Sequence, residues 1–530
     1  MIIAYKSIRE LEIQIWKRLR QLGSDRLPFS NISLTQFYGI EIDEYACDTA
    51  KLSLWLAEHQ VNNLFWKELG SKADALPLGK SGNIVCGNAC RLDWNTVCPH
   101  TAEEEVYVMG NPPYLGSRNQ ENMHKEDLDI SLSILHNYRK LDYIAIWFWK
   151  GANYILNSTC KLAFVSTNSI TQGEQVSYIW QPIFEGGVEI LFAHKSFKWN
   201  NNAKNNANVV VVIIGLANKS KKAKKLFTHD QIIQGEYING YLSLSGNVFI
   251  TNRNTALTDD VVPILYGSEP REGGGLMMTP EEKQTLLREG VFFGKFVKRA
   301  VGSDEFINDI ERYCLWINDN DIEEARKSTF ISARLSFVEQ YRKTSKRADT
   351  RKYSNKPNCF TNNTYKAKQA IVIPIISSER RDYIPIGFLS FDAVVLNSAF
   401  AVYDAELWLF ALLTSKLHNV WVRAVGGKLE ERIRYSATLC YNTFPFPKIT
   451  KEQKEHLTEL AEEVLLTREN HTEMTLGEMY NPETMPDDLK EAHKALDIAV
   501  EQCYRPEPFT SDDERLEYLF KLYEKMTKKK

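Results

Sequence analysis

The chain of 530 residues is long enough for two or three domains around a large core. A net charge of −3 excludes a globally basic nucleic-acid coat, so any DNA surface has to be local. Nine cysteines without a Cys-x-x-Cys pair fit a reducing compartment rather than a disulfide framework, and with charge at Lys6 and no apolar run near the ~20 residues of a membrane span, a cytoplasmic protein is expected.

Residues 4–21 place Tyr5, Ile8, Leu11, Ile15, Trp16 and Leu19 at helical spacing, and Gly23 ends the pattern. Residues 36–42 read as a buried strand, after which Asp43 caps a helix with Ala46, Ala50, Leu54 and Ala57 on one face. Further strands are expected at 83–86, 106–109, 161–166, 188–193 and 208–216, with helices near 142–156 and 174–183. Such alternation predicts an α/β fold with a largely parallel sheet. Cys86, Cys90 and Cys98 lie close in sequence but fit no common zinc spacing, so no metal site is expected.

The apolar run Val106–Gly110 stops at Asn111-Pro112-Pro113-Tyr114, a tetrapeptide whose chance occurrence in a chain of this length is on the order of one in a thousand. Two prolines fix φ and remove two N–H donors, which leaves the Pro112 carbonyl outside a sheet ladder. Open α/β sheets bind ligands at the C-terminal edge of their strands. At that edge the Asn111 side-chain oxygen and the Pro112 carbonyl, beside the Tyr114 ring, suit a planar exocyclic amino group.

Beyond these strands, Asn218-Lys219-Ser220-Lys221-Lys222-Ala223-Lys224-Lys225 marks a boundary. The text then turns to short irregular strands, a Gly273-Gly274-Gly275 turn and many Arg and Tyr, until Pro445-Phe446-Pro447. Residues 451–526 are mostly amphipathic helix. Three domains follow: 1–217, 218–447 and 448–530.

Glu41 ends its strand just before the Asp43-capped helix, where a carboxylate commonly accepts hydrogen bonds from ribose hydroxyls. The alternative is that Glu41 and Asp43 only favour a helix N-terminus. Asn88, in Gly87-Asn88-Ala89, can meet an adenine edge or serve as a turn residue. A nucleoside-bearing cofactor beside an amine-gripping loop is what methyl transfer from S-adenosylmethionine to an amino nitrogen requires. Two acceptors on the amine hydrogens localise a lone pair otherwise delocalised into the ring. A duplex base must leave the stack to reach such a pocket. Tyr114 offers one face for it; Phe197 offers the opposite face or is core, and the polar run Asn200–Asn206 favours the first.

The middle region carries the local positive charge. Arg342, Lys343, Lys346 and Arg347 form one cluster, Arg380 and Arg381 a second, and Lys428, Arg432 and Arg434 a third, interleaved with Glu430 and Glu431. Each is read as a double-stranded DNA contact or as solvated surface charge.

The segments Gly39-Ile40-Glu41-Ile42-Asp43, Gly87-Asn88-Ala89, Asn111-Pro112-Pro113-Tyr114 and Ser196-Phe197-Lys198-Trp199 resemble the motif series of γ-class N6-adenine DNA methyltransferases. The closest resemblance is to the MmeI-like group of type II restriction–modification enzymes, and it extends to Ser166–Gln175, Arg312–Trp316, Ser377–Arg381 and Tyr441–Pro445. It implies that Asn111, Pro112, Pro113 and Tyr114 form the catalytic loop and that Phe197 stacks on the flipped base. It also implies that Glu41 binds the ribose of S-adenosylmethionine, with Ile42 in the same cofactor site and Asn88 near the cofactor's adenine. The implied fold is an incomplete Rossmann-like class I methyltransferase sheet, a mixed α+β target-recognition domain and a helical C-terminal segment.

Two features of that family are missing: the Gly-rich turn after the first strand, and a nuclease domain. The central strand between 36–42 and 106–109 is missing with them. The expectation is therefore an N-terminally truncated form, completed by a separate N-terminal fragment or left as a remnant of an interrupted gene, and binding cofactor weakly alone. Two other readings compete: a non-catalytic DNA-binding specificity subunit, and a protein glutamine methyltransferase. The last is disfavoured by more than two hundred Arg- and Tyr-rich residues after the final core strand.

Overall fold

The computed structural model describes residues 1–70, 82–199, 209–429 and 431–528. The Asn-rich run 200–206 and Glu430 lie outside them. The chain forms two compact units. The first comprises Met1–Ser166, Pro182–Phe192 and Ile213–Lys221; the second comprises Thr167–Gln181, Ala193–Val212 and Lys222–Lys530.

The first unit opens with α1 (Ile2–Gln21), which buries Tyr5, Arg9 and Ile13. That stripe has a spacing of four and packs on α2 (Glu44–Leu69), against Leu54, Ala57, Val61 and Phe65. The expected apolar face is buried only in part: Tyr5 is buried and Trp16 half-buried, but Ile8, Leu11, Ile15 and Leu19 are 38–55 % exposed. The helix turns instead on Arg9, whose guanidinium is buried by bonding Glu12 at 2.7 Å and Asn62 at 2.8 Å, over the Phe65 ring. A charge with two partners at the centre of the stripe fixes a helix face that hydrophobic periodicity alone does not select.

Asp43 caps α2 as expected, accepting the Ala46 N–H at 2.8 Å. Ahead of it, β1 (Tyr38–Glu41) pairs in parallel with β2 (Asn83–Cys86), Glu41 opposite Cys86. These two strands make a sheet of their own, so β1 is half-exposed rather than buried, with Tyr38 at its start open to solvent. The chain continues through α3 (Trp94–Val97), β3 (Tyr107–Gly110), α4 (Asn122–Leu132), α5 (Ala145–Ile155), β4 (Lys161–Thr167), α6 (Gly173–Glu185), β5 (Val188–Trp199), β6 (Val209–Asn218), β7 (Lys224–Phe227) and β8 (Ile232–Gly235). Strand β3 belongs to a six-stranded sheet of order β3-β4-β6-β5-β7-β8 and pairs in parallel with β4, Gly110 opposite Phe164. It is the edge strand, with Tyr107 and Met109 exposed. Helix α5 lies close on β4: a Cβ at Gly151 would stand 2.7 Å from Leu162, and Phe148 meets the Phe164 ring edge-on.

In the second unit the strands Gly387–Leu389, Ala370–Pro374, Ala399–Tyr403 and Leu265–Tyr266 form an antiparallel sheet, beside a mixed four-stranded sheet and a three-stranded one. The expected Gly-rich turn is present, with Gly273 and Gly274 at positive φ. The helical residues after 448 are not set apart. Leu457, Val464, Leu489, Leu496 and Phe520 share one core with Ile371, Trp421, Tyr441 and Phe444.

A buried polar network ties that core together. The Asp497 carboxylate accepts the Tyr383 hydroxyl and the Lys416 N–H, each at 2.6 Å, while His493 stacks on Tyr383 and meets the Tyr480 hydroxyl at 2.6 Å. Burial pushes the Asp497 carboxyl up to about 6 and holds the His493 imidazolium well below its ordinary range. A carboxyl raised in the folded state stabilises most fully at low pH, and that contribution is lost as pH rises through about 6. His493 acts oppositely, because its charging favours the unfolded chain on acidification. Asp497→Asn removes only the first effect, so the melting temperature of the variant relative to wild type is expected to rise from pH 4.5 to pH 8. Thermal melts at both pH values check this; a constant offset contradicts it.

Candidate active site

Strand β3 ends at Gly110, and the chain leaves the sheet edge through Asn111, which is exposed. Pro112 is buried, Pro113 exposed and Tyr114 half-buried, so the loop is anchored by one proline and opens on both sides of it. Among the described residues, none hydrogen-bonds the Asn111 side chain or the Pro112 carbonyl. The two acceptors singled out in the sequence thus stand free beside a partly exposed ring.

Of the residues expected to hold a nucleoside, Glu41 and Ile42 are exposed at the end of β1, where one Glu41 oxygen accepts the Ile42 N–H at 2.9 Å. Asn88 is differently employed. Its Oδ1 accepts the Cys90 N–H at 2.8 Å and its Nδ2 donates to Asp127 at 3.0 Å, which makes it first of all a turn residue. Asp127 also accepts the Arg91 Nε and the Tyr143 hydroxyl, both at 2.6 Å. Burial pushes the Asp127 carboxyl up, but the bonds from Tyr143, Arg91 and Asn88 outweigh it and hold the group below its ordinary range. Burial and the same carboxylate raise the Tyr143 phenol.

The sequence reading missed Asp127, Tyr143, Gln120 and Asp142. The available signal was a pair of polar side chains inside the apolar stretch Leu141-Asp142-Tyr143-Ile144, which only a partner can justify. A cleft of about 290 Å³ among Cys90, Trp94, Trp149, Lys150 and Tyr154 involves none of the candidate residues, and the Lys150 ammonium there is taken by the carbonyls of Cys90 and Leu92. Among the described residues no three His, Cys, Asp or Glu side chains are grouped to hold a metal ion. Cys86, Cys90 and Cys98 are free thiols. No helix among them is long and apolar enough to cross a membrane.

In the second unit, Phe197 lies on β5, 37 % exposed, with its ring 6.3 Å from Trp199. The basic clusters divide by burial. Lys346 and Arg347 are exposed; Lys343 is exposed and paired with Glu339. Arg380 is exposed and paired with Glu483, and Arg432 and Arg434 lie exposed on the hairpin strand Arg432–Arg434. Arg381 is half-buried beside the Gly477 carbonyl, and Lys428 is sheltered enough that burial lowers its ammonium.

Arg342 corrects the sequence expectation outright. It is 0 % exposed and donates to five carbonyls, those of Pro270, Arg271, Tyr353, Lys356 and Cys359. A guanidinium so occupied holds chain segments together and cannot reach a phosphate.

Residues 1–228 match the family model "MmeI, DNA-methyltransferase domain", 245–448 "MmeI, target recognition domain" and 449–529 "MmeI, C-terminal domain". The chain is 44 % identical over 531 positions to DNA methyltransferase A of Bacillus subtilis (strain 168), covering all of this chain and 60 % of that protein. It superposes on the type IIL restriction–modification enzyme MmeI, solved in complex with DNA, with a TM-score of 0.89 at 35 % identity, over 99 % of this chain and 71 % of that one. The chain belongs to the MmeI family of restriction–modification enzymes. It spans 60 % of the length of the Bacillus relative.

Because an unsatisfied buried acceptor costs about 1–3 kcal/mol, Arg342→Met is expected to destabilise the second unit by about 3 kcal/mol or more. Urea unfolding measures it; an unchanged midpoint would show that the five carbonyls find other donors.

Proposed function

We propose that this chain supplies the methyltransferase and target-recognition parts of a restriction–modification enzyme that methylates adenine N6 in double-stranded DNA. The reading rests above all on one observation: an exposed Asn111 and the Pro112 carbonyl, free of partners among the described residues, at the C-terminal end of a sheet strand. Membership of the MmeI family supports it, as do a solved relative whose structure contains DNA and a curated relative named a DNA methyltransferase.

In this proposal the Asn111 Oδ1 and the Pro112 carbonyl each accept one hydrogen of the everted adenine amine. That would draw the nitrogen lone pair out of conjugation for attack on the methyl group of a bound donor, whose sulfur–methyl bond would break to leave a thioether while the surplus amine proton passes to solvent. The Tyr114 ring takes one face of the base. Stacking offsets part of the few kcal/mol that unstacking the base costs. S-adenosylmethionine, when bound, supplies an already activated methyl group. Glu41 fits its ribose end, since an exposed carboxylate with one oxygen engaged keeps acceptor capacity for hydroxyls. The Asn88 side chain fits less well, its carbonyl and amide both being engaged. Lys346, Arg347, Arg432 and Arg434 are proposed to meet phosphates and base edges, with Lys343, Arg380, Arg381 and Lys428 in supporting positions.

The separation of β1–β2 from the sheet of β3 favours a second reading, in which the chain alone binds DNA without transferring methyl and a further polypeptide segment completes the cofactor site. On this second reading, calorimetry shows S-adenosylmethionine binding to the chain alone weaker than about 100 μM, little more than 5 kcal/mol; low-micromolar binding contradicts it.

Incubation with S-adenosylmethionine and unmodified plasmid, followed by nucleoside mass spectrometry, tests the main reading. N6-methyladenine is the expected product. Asn111→Ala is expected to reduce it at least a hundredfold with DNA affinity within twofold, whereas Arg347→Ala weakens DNA binding and lowers the salt slope by about one. Another methylated base, or full activity in Asn111→Ala, overturns the assignment.

A further inference from the structure

We infer that Asp142 and Gln120 are positioning residues that clamp the Asn111–Tyr114 loop through a single residue, Leu115. The functional half of this inference rests on the reading of that loop proposed above. The clamp itself rests on geometry alone.

Between the end of β3 and Leu115, the chain passes two prolines that supply no N–H. Leu115, directly after Tyr114, has both main-chain groups taken. Its N–H donates to Asp142 Oδ1 at 2.9 Å, and its carbonyl accepts the Tyr143 N–H at 3.0 Å and Gln120 Nε2 at 2.9 Å. Gln120 Nε2 donates also to the Leu141 carbonyl at 3.0 Å, and Asp142 Oδ1 accepts the Ile144 N–H at 3.2 Å. Asp142 and Gln120 are 4 % and 5 % exposed. The Tyr143 hydroxyl fastens this segment to Asp127 and so to Asn88 and Arg91.

A loop that needed only closure would be served by turn chemistry at its surface. Here a carboxylate and an amide are buried, at a desolvation cost, to fix the two peptide groups that flank Leu115, close to an exposed Asn and a partly exposed Tyr. Reaction rates fall about a hundredfold for a displacement near 1 Å, so a fixed anchor adjacent to Tyr114 bears on turnover rather than on binding. Two acceptors that must sit on the two hydrogens of one amine need that fixity more than a surface that grips phosphates does.

The test uses the full chain with Asp142→Ala, Asp142→Asn and Gln120→Met. Amide hydrogen exchange is followed in the peptide 111–121, with 161–167 of β4 as internal reference. Exchange in 111–121 is expected to quicken at least tenfold in Asp142→Ala and Gln120→Met, with 161–167 unchanged. Asp142→Asn keeps a carbonyl oxygen for the Leu115 N–H and is expected to restore most of the protection. In methyl transfer to unmodified DNA, Asp142→Ala is expected to lower kcat at least tenfold with KM for DNA within twofold. Unchanged exchange, equal acceleration in both peptides, or a raised KM with kcat intact overturns the inference. The exchange measurement needs no turnover, and Gln120→Met decides the matter if Asp142→Ala does not fold. Should Asn111→Ala retain transfer while the exchange result holds, the catalytic reading of the loop fails and the clamp stands.

Discussion

Everything proposed for this chain depends on how a strand ends. Among the described residues strand β3 is an edge strand whose ladder partner is β4 alone, and two consecutive prolines after it supply no N–H for a further ladder. A carbonyl released in this way would ordinarily turn to water or to a side chain. Here Pro112 keeps its carbonyl free among the described residues, and Asn111, one step earlier, is exposed with an equally free side chain. The chemistry is thus written into backbone constraint more than into any titrating group. No shifted acid or base is required at the loop, because the proposed work is to hold an amine and not to move a proton through a catalytic side chain.

Constraint of this kind is legible in a sequence. Asn-Pro-Pro-Tyr after an apolar run gave the strand, its end and the exposed loop together, and Asp43 gave the start of α2 by its capping bond. The strands from β2 to β6 lie close to where alternation placed them. What periodicity could not do was choose a helix face where a charge outbids a leucine. In α1 the paired guanidinium of Arg9 went inside, and Leu11 and Ile15 stayed out. Sheet membership did not come from local pattern either: β1 and β3 read alike as short apolar strands, yet they fall in different sheets, in keeping with the missing central strand that the family resemblance implies between them.

The candidate site was read unevenly for the same reason. Residues whose proposed role follows from what they expose, Asn111 and Glu41, were singled out in the sequence and lie exposed in the structure. Residues whose role follows from what they hold, Gln120, Asp127, Asp142 and Tyr143, were not, since their partners, backbone groups and side chains, lie 5 to 39 positions away. Asn88 lies between these cases. Its position after β2 is as expected, but its side chain is spent on Asp127 and the Cys90 N–H, so its first role is to shape the turn.

The basic residues carry the same distinction to its end. Arg342 and Arg347 sit five residues apart in one positively charged run and look interchangeable in sequence. The environment separates them by supply of acceptors: five carbonyls converge on Arg342, one for each of its N–H donors, while Arg347 stays in solvent. A buried guanidinium with its donors satisfied is a fastener; an exposed one keeps its fork for a phosphate or a guanine edge. A chain with net charge −3 can therefore present a local cationic surface only through the part of its arginine and lysine complement not consumed in this way. The density of positive letters in a sequence overstates the charge available to DNA, and the correction comes from counting the carbonyls that converge on each guanidinium.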